Sequence, residues 1–177
     1  MRFDSEIVSG CVRRCRFGNV QVIVCKPISP KGRLFPTTFW LMCPHLIHRA
    51  GMIESHQGVH ELEDWMTKRK LFHQWRNYNI AHQSLRLSEI NTHQLSFIRK
   101  YHRGIFKHLI GTGIGGMKYT DIITVKCLHL QTASYLAMRY HPAEEWLKSK
   151  GLCGECKTGN IFQECSRSKV QICMCNS

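Results

Sequence analysis

Acidic residues are scarce in this chain. Its 177 residues include 12 Asp and Glu against 25 Lys and Arg, which gives a formal net charge of +13 at pH 7. A balance this basic favours an anionic partner, such as nucleic acid, a phosphorylated small molecule or a membrane surface. We therefore expect an anionic ligand, either a phosphorylated small molecule or RNA.

Long apolar runs are also missing. No stretch approaches the ~20 consecutive apolar residues that a membrane-spanning helix needs. The N-terminal residues MRFDSEIVSGC contain Asp4 and Glu6 and lack the apolar centre of a signal peptide. We expect a cytoplasmic protein without membrane segments, in which thiols stay reduced.

Familiar catalytic and nucleic-acid-binding motifs are absent as well. The sequence has no GxSxG, no HExxH and no close pair of acids that stands out as a catalytic set. RRM, KH and helix-turn-helix signatures are missing too. No reaction or substrate is predicted.

Hydrophobic residues make up 43% of the chain, enough for a buried core. The β-branched run VQVIVC at 20–25 is typical of a buried strand, and Pro44 fits the first turn of a helix ending near Ser55. Residues 59–110 have helical periodicity, with Gly111 as a C-cap. Asp121 is a candidate N-cap for a helix up to about residue 140, and Pro142 starts a short helix that Gly151 ends. We predict a mainly α (α+β) fold: one helical domain over residues 1–150 with a short N-terminal β element, and a Cys-rich tail over 151–177.

Ten cysteines are unusual for a cytoplasmic chain and favour metal or redox chemistry. Cys153 and Cys156 form a CxxC pair, a spacing that lets two thiolates bind one metal. Cys173 and Cys175 follow after about 16 residues, so a zinc ribbon is one interpretation although its second pair is one residue short. A loosely ordered tail is the other. Cys15, Cys43 and Cys127 are isolated, and a buried apolar role explains each of them equally well.

The segment GTGIGGMK at 111–118 has four glycines in six residues and a following lysine. It does not match a Walker A loop, and although Gly111, Gly113 and Gly116 have the GxGxxG spacing, a predicted helix rather than a strand precedes them, which argues against a dinucleotide site. A Gly-rich turn before a helix can present N–H groups to an anion, with Lys118 nearby, or it can be a flexible linker. Cys127 and His129 are two residues apart in KCLH, a spacing that places side chains on nearly opposite sides of a regular helix. We expect His129 to face away from Cys127 unless one of them lies in an irregular first turn.

Basic residues are concentrated between Thr67 and His108. This segment has nine Lys and Arg and one acid, Glu89, and aromatic residues are interleaved with them. Basic helices with aromatic neighbours suit RNA or single strands, whereas a solvated helix face is the alternative. The basic members are Lys68, Arg69, Lys70, Arg76, Arg86, Arg99, Lys100, Arg103 and Lys107.

Five short segments occur together in this order: RCRFG at 14–18, FPTTFWLMCPHL at 35–46, IES at 53–55, GIGG at 113–116 and VKCLHLQTASYLA at 125–137. In these segments the chain resembles an uncharacterised bacterial family known as domain of unknown function 501, over roughly residues 12–150. The resemblance implies no activity, and only indicates which positions to watch.

The resemblance implies a shared role for the cysteines in these segments. Cys15, Cys43 and Cys127, together with a late cysteine that is Cys153 or Cys156 here, would form a four-cysteine site for an Fe–S cluster or zinc. His129 and Lys118 would lie close by. The predicted anion-binding residues are Gly113, Gly115, Gly116, Lys118, Arg14 and Lys126. A metal-stabilised RNA-binding module and a metal-free helical protein with core cysteines are the alternatives.

Overall fold

A computed structural model of the protein describes residues 5–154. A 3-10 turn, Ser5–Ile7, precedes a three-stranded antiparallel sheet of β1 (Val8–Arg14), β2 (Val20–Cys25) and β3 (Phe39–Leu41). The strands lie in the order β1-β2-β3, and Val22 of the central strand pairs with Leu41. The β-branched run at 20–25 forms a largely buried strand, as predicted, and this strand lies at the centre of the sheet.

Seven α-helices follow within residues 5–154, which confirms a mainly α fold with a short N-terminal β element. They are α1 (Pro44–Glu54), α2 (Gly58–Lys68), α3 (Phe72–Ser88), α4 (Thr92–Tyr101), α5 (Arg103–Gly111), α6 (Leu128–Met138) and α7 (Glu144–Ser149). Pro44 occupies the first turn of α1, where a missing N–H costs no hydrogen bond. The segment predicted to be helical between 59 and 110 is divided among four helices, and the last of them ends at Gly111 with Thr112, rather than Gly111, as its C-cap.

Helix α6 lies at the centre of the molecule and is buried on almost every side. Ala133 and Leu136 pack with Leu46 of α1 and the inner face of the sheet. Leu128 and Leu130 pack in a larger cluster that includes Trp75 and Trp146. A helix buried on all sides is held by its neighbours, so the two ends of α6 are fixed in position.

Helix α6 begins at Leu128, so the prediction that Asp121 starts this helix is wrong. Residues 121–127 are irregular, and the side chain of Asp121 is fully exposed. The run Ile122–Val125 is largely β-branched, which disfavours a helix. The carboxylate of Glu54 satisfies the first amides of α6 in place of Asp121.

None of the helices within residues 5–154 is long and apolar enough to cross a membrane. The proposed boundary at residue 150 falls just after α7, and Leu152 still packs in the main core. Cys156, Cys165, Cys173 and Cys175, and with them the zinc-ribbon interpretation, lie outside the described residues. The division into a domain and a tail stays a prediction.

Candidate metal centre

Cys127 and His129 lie together at the start of α6. Cys127 is the N-cap residue and has extended backbone angles, φ −167° and ψ 156°, so it does not follow the helical periodicity. His129 lies in the first turn. The two side chains therefore lie on the same side of the helix start. His129 does not face away from Cys127, because the start of α6 is irregular, which is the one condition under which the two side chains were expected to meet.

Glu54, the last residue of α1, joins them from another segment. Its Oε1 accepts hydrogen bonds from the backbone N–H groups of Leu128 and His129. These amides have no partner within the helix, and a carboxylate at a helix N-terminus is favoured by the helix dipole as well. Glu54 thus caps α6 from a residue 74 positions earlier in the sequence and brings its charge next to Cys127 and His129.

Both ring nitrogens of His129 have partners. Nδ1 lies 3.0 Å from Glu54 Oε1, and Nε2 lies 3.1 Å from the carbonyl oxygen of Ile47 in α1. A carbonyl can only accept, so Nε2 carries a proton and donates it to Ile47. Nδ1 is consequently the ring nitrogen that faces the two acidic groups.

The charge around His129 favours its protonated form. A hydrogen bond with Cys127 raises the pKa of His129 to about 9, against the opposing effect of burial, and the negative charge of Glu54 adds to the increase. With both ring nitrogens protonated, His129 donates to Glu54 and to Ile47 at the same time. Cys127 and Glu54 together therefore form a site that attracts positive charge.

Glu54, Cys127 and His129 have the composition of a metal site. Each offers one ligand atom, and these three atoms all lie within 4.8 Å of one another. The side chains of His129 and Glu54 are 34% and 25% exposed, so the site is open on one side to solvent. It is the one group of three or more potential ligands among residues 5–154.

The predicted cysteines are distributed over several parts of the molecule. Cys43 is 8% exposed and packs with the β-sheet core, Cys15 lies in the β1–β2 turn, and Cys153 follows α7 close to Tyr135 and Lys148. Of the predicted four-cysteine set, Cys127 alone belongs to the group of potential ligands in the described part of the chain. No disulfide joins the cysteines of that part. Cys156 lies outside it, so the four-cysteine set stays a prediction.

The glycine turn already uses two of the amides that were expected to bind an anion. The N–H of Gly113 donates to Met117 O, and the N–H of Gly116 donates to Gly113 O. Its carbonyls face a buried cation, since Arg86 donates to Leu109, Thr112 and Gly113. Arg86 is therefore part of the core, and its assignment to a basic surface is wrong.

The other members of the predicted anion-binding set lie at separate places. Lys126 Nζ lies 3.3 Å from Gly115 O, and Arg14 donates to Gly18 O in the β1–β2 turn. Gly115 is buried, whereas Lys118 is exposed just beyond the glycine turn. Anion binding by this set stays a prediction.

Sequence analysis did not single out Glu54 as a site residue. A carboxylate that ends one helix and caps another leaves no local spacing pattern. The available signal was the segment IES at 53–55, which contains Glu54 and is one of the five segments that carry the family resemblance.

The structure defines a mainly α protein with a short antiparallel sheet and a Glu–Cys–His cluster at the start of its central helix. Residues 11–149 match the family described as Protein of unknown function (DUF501), and the chain belongs to this family. No curated protein and no solved structure gives a significant match.

Proposed function

We propose that Glu54, Cys127 and His129 bind a divalent metal ion, and that this ion is zinc. The observation that carries the proposal is the convergence of a carboxylate, a thiol and an imidazole within 4.8 Å. Zinc accepts sulfur, nitrogen and oxygen ligands, and tetrahedral coordination places neighbouring ligand atoms roughly 3 to 4 Å apart. Nδ1 of His129 and Oε1 of Glu54 are already 3.0 Å apart.

The surroundings of His129 support this proposal. Histidines that bind metals commonly donate their second N–H to a carbonyl or carboxylate, which fixes the ring and its tautomer. Ile47 O accepts from Nε2 in this way and directs Nδ1 towards Glu54. A cation at the site would replace the proton that Cys127 and Glu54 now hold on His129.

The donor set favours zinc over an Fe–S cluster. Clusters are held by several thiolates, and this group contains one cysteine. Three protein ligands with a fourth position open to solvent are typical of catalytic zinc sites, where the ion activates a bound water or polarises an oxygen. The chain's own residues hold the ligands in place: Ile47 orients His129, and the amides of Leu128 and His129 orient Glu54.

Metal analysis of the purified full-length protein tests the proposal. We expect about one bound zinc per chain at this site, and a thiolate charge-transfer band when cobalt replaces zinc. Cys127→Ser and His129→Gln should each lower the metal content by about one equivalent, even if cysteines elsewhere hold a second ion.

Cys15→Ser is the matched control, since Cys15 is a partly buried cysteine outside the group of potential ligands. It should leave the metal content and the cobalt spectrum unchanged. If Cys15→Ser removes the ion as Cys127→Ser does, the four-cysteine site replaces this proposal. Unchanged metal content in both Cys127→Ser and His129→Gln would overturn it.

A second candidate function is nucleophilic chemistry without a metal. The hydrogen bond between Cys127 and His129 joins a thiol to an imidazole, and Ile47 O orients the ring by accepting from Nε2 while Glu54 lies beside Nδ1. In that case metal-free protein would be alkylated by iodoacetamide faster at Cys127 than at Cys15, and His129→Gln would abolish the difference. Equal rates at the two cysteines would exclude it.

We further propose that the ligand of this centre is anionic and that the protein is cytoplasmic. The net charge of +13 and the exposed Lys126 beside Cys127 support the first proposal. The ten cysteines, none of which forms a disulfide within residues 5–154, support the second. A change in the spectrum of the cobalt-substituted protein on addition of inorganic phosphate would support an anionic ligand, and an unchanged spectrum would count against it. Cell fractionation tests the cytoplasmic location of the protein.

A further inference from the structure

The exposed surface of α4 and α5 is basic and carries exposed aromatic rings. Its members are Phe97, Arg99, Lys100, Tyr101, His102, Arg103 and Lys107, and all seven are exposed. We call this set the α4–α5 surface. The sequence has no acidic residue between Glu89 and Asp121, so the surface lies within a long stretch of uncompensated positive charge.

The positive charge of the α4–α5 surface is not neutralised within the described part of the chain. None of the ion pairs found there includes Arg99, Lys100, Arg103 or Lys107. Instead, Lys100 lies 4.9 Å from the ring centre of Tyr101, and Arg99 lies 6.0 Å from that of Phe106. Four cations on two short, consecutive helices attract a polyanion to this surface.

The aromatic side chains of the α4–α5 surface are exposed far more than packing would require. Phe97 is 55% exposed and Tyr101 is 59% exposed. Their ring centres lie 4.9 Å apart, and Phe97 lies 5.6 Å from the ring of His102. Three neighbouring rings in water form a platform on which flat, apolar groups can stack.

A cavity of about 760 Å³ opens beside this platform. Phe97 and His102 line it together with Ile28, Ile90 and Ile98, and its polar and charged groups include Lys26, Glu89, His93 and Gln94. Ligand sites commonly have such a volume and combine apolar walls with polar groups that fix the orientation of the ligand. A nucleobase, which is flat and carries polar edges, suits both the cavity and the platform.

We propose that the α4–α5 surface binds single-stranded nucleic acid. Bases stack on Phe97 and Tyr101, one base enters the cavity past His102, and phosphates contact Arg99, Lys100 and Arg103. A single strand is favoured over a duplex because paired bases cannot leave their stack to reach the rings. This inference does not depend on the metal centre, which lies at the start of α6.

Fluorescence anisotropy with a labelled oligouridine about 12 nucleotides long tests this inference on the full chain. We expect Phe97→Ala and Tyr101→Ala each to weaken binding at least about fivefold, the lower limit for one lost stacking contact. Arg103→Gln should reduce the slope of log K against log salt by about 0.7, the value for one phosphate of a single strand. A duplex of equal length should bind more weakly than the oligouridine.

Phe17→Ala is the matched control, because Phe17 is also exposed and has Arg16 stacked over its ring in the β1–β2 turn. It should leave the affinity unchanged, and thermal unfolding should show that all variants fold. The inference is overturned if the oligouridine does not bind at low salt, or if the aromatic variants bind as the wild type does. It is also overturned if vesicles of phosphatidylserine and phosphatidylcholine bind with the same loss in both aromatic variants, since the surface would then recognise membranes.

Discussion

Arg86 shows how one side chain can be assigned to the wrong role from sequence. It follows a basic, polar segment, yet it is 1% exposed and donates to three backbone carbonyls at the end of α5. Burial lowers the pKa of its guanidinium. Carbonyl oxygens at a helix C-terminus carry partial negative charge, so they hold a buried cation without a carboxylate.

Replacing Arg86 with Met should strongly destabilise the fold. The substitution keeps much of the side-chain volume but leaves the carbonyls of Leu109, Thr112 and Gly113 without their donor. We expect the free energy of unfolding to fall by about 3 kcal/mol or more, measured by urea denaturation. Arg76→Met is the control, because Arg76 is 61% exposed and should change stability by less than ~0.5 kcal/mol. Equal effects of the two substitutions would contradict the structural role of Arg86.

The candidate site was only partly accessible from sequence. Cys127 and His129 were identifiable as reactive residue types in a conspicuous segment. The proximity of Cys127 and His129 could not be predicted, because it depends on the extended backbone of Cys127 at the helix start. Glu54 was harder still, since its relation to the site exists only after α1 packs against α6.

Close packing against neighbouring side chains explains the glycines of the turn. A Cβ atom on Gly113 would lie 2.1 Å from Oδ1 of Asn79, and one on Gly116 would lie 2.5 Å from Pro36. Gly116 also has a φ of +77°, which disfavours other residues. The same Asn79 oxygen accepts from the amide of Ile114, so the turn is held against α3.

Replacing Gly113 with Ala should therefore destabilise the protein by about 2 kcal/mol or more, because Asn79 must move and lose its bond to Ile114. Gly104→Ala is the matched control. Gly104 lies in α5, and a Cβ atom added there would have no neighbour within 4 Å, so alanine should be neutral or stabilise the helix by ~0.5 kcal/mol. Thermal and urea unfolding of both variants provide the test. A Gly113→Ala protein as stable as the wild type would show that the turn tolerates a side chain.

Prediction of the elements succeeded where the signal was local. The β-branched run of β2, Pro44 at the start of α1 and Gly111 at the end of α5 are each encoded by neighbouring residues. The start of α6 is not encoded by neighbouring residues, because Glu54 caps it from the end of another helix. A sequence window around Asp121 offers a suitable cap, and only the tertiary structure shows that this cap is not used.

Buried imidazoles connect α3 with the segment that follows α6. The ring of Tyr78 lies 4.8 Å from those of His82 and His141 in edge-to-face contacts. His141 accepts from the amide of Ala143 at Nδ1 and pairs with Gln131 Oε1 through Nε2. This arrangement fits the neutral ring, and burial lowers the pKa of both histidines to about 3.

These histidines should make the fold sensitive to acid. Their pKa values are about 3 in the folded state and return to the usual value of about 6.5 on unfolding, so their contribution is complete above pH 6.5 and is lost as the pH falls towards 3. Each of the two histidines should lower the free energy of unfolding by roughly 1 kcal/mol for each unit by which the pH falls in that interval. Urea denaturation between pH 7.5 and about 4.5 measures the slope, which should be shallower in His141→Gln. His73→Gln removes an exposed imidazole and should keep the wild-type slope. The His141→Gln variant lacks the ring that takes up a proton on unfolding. If its unfolding free energy depends on pH as that of the wild type does, His141 is not a source of the acid sensitivity.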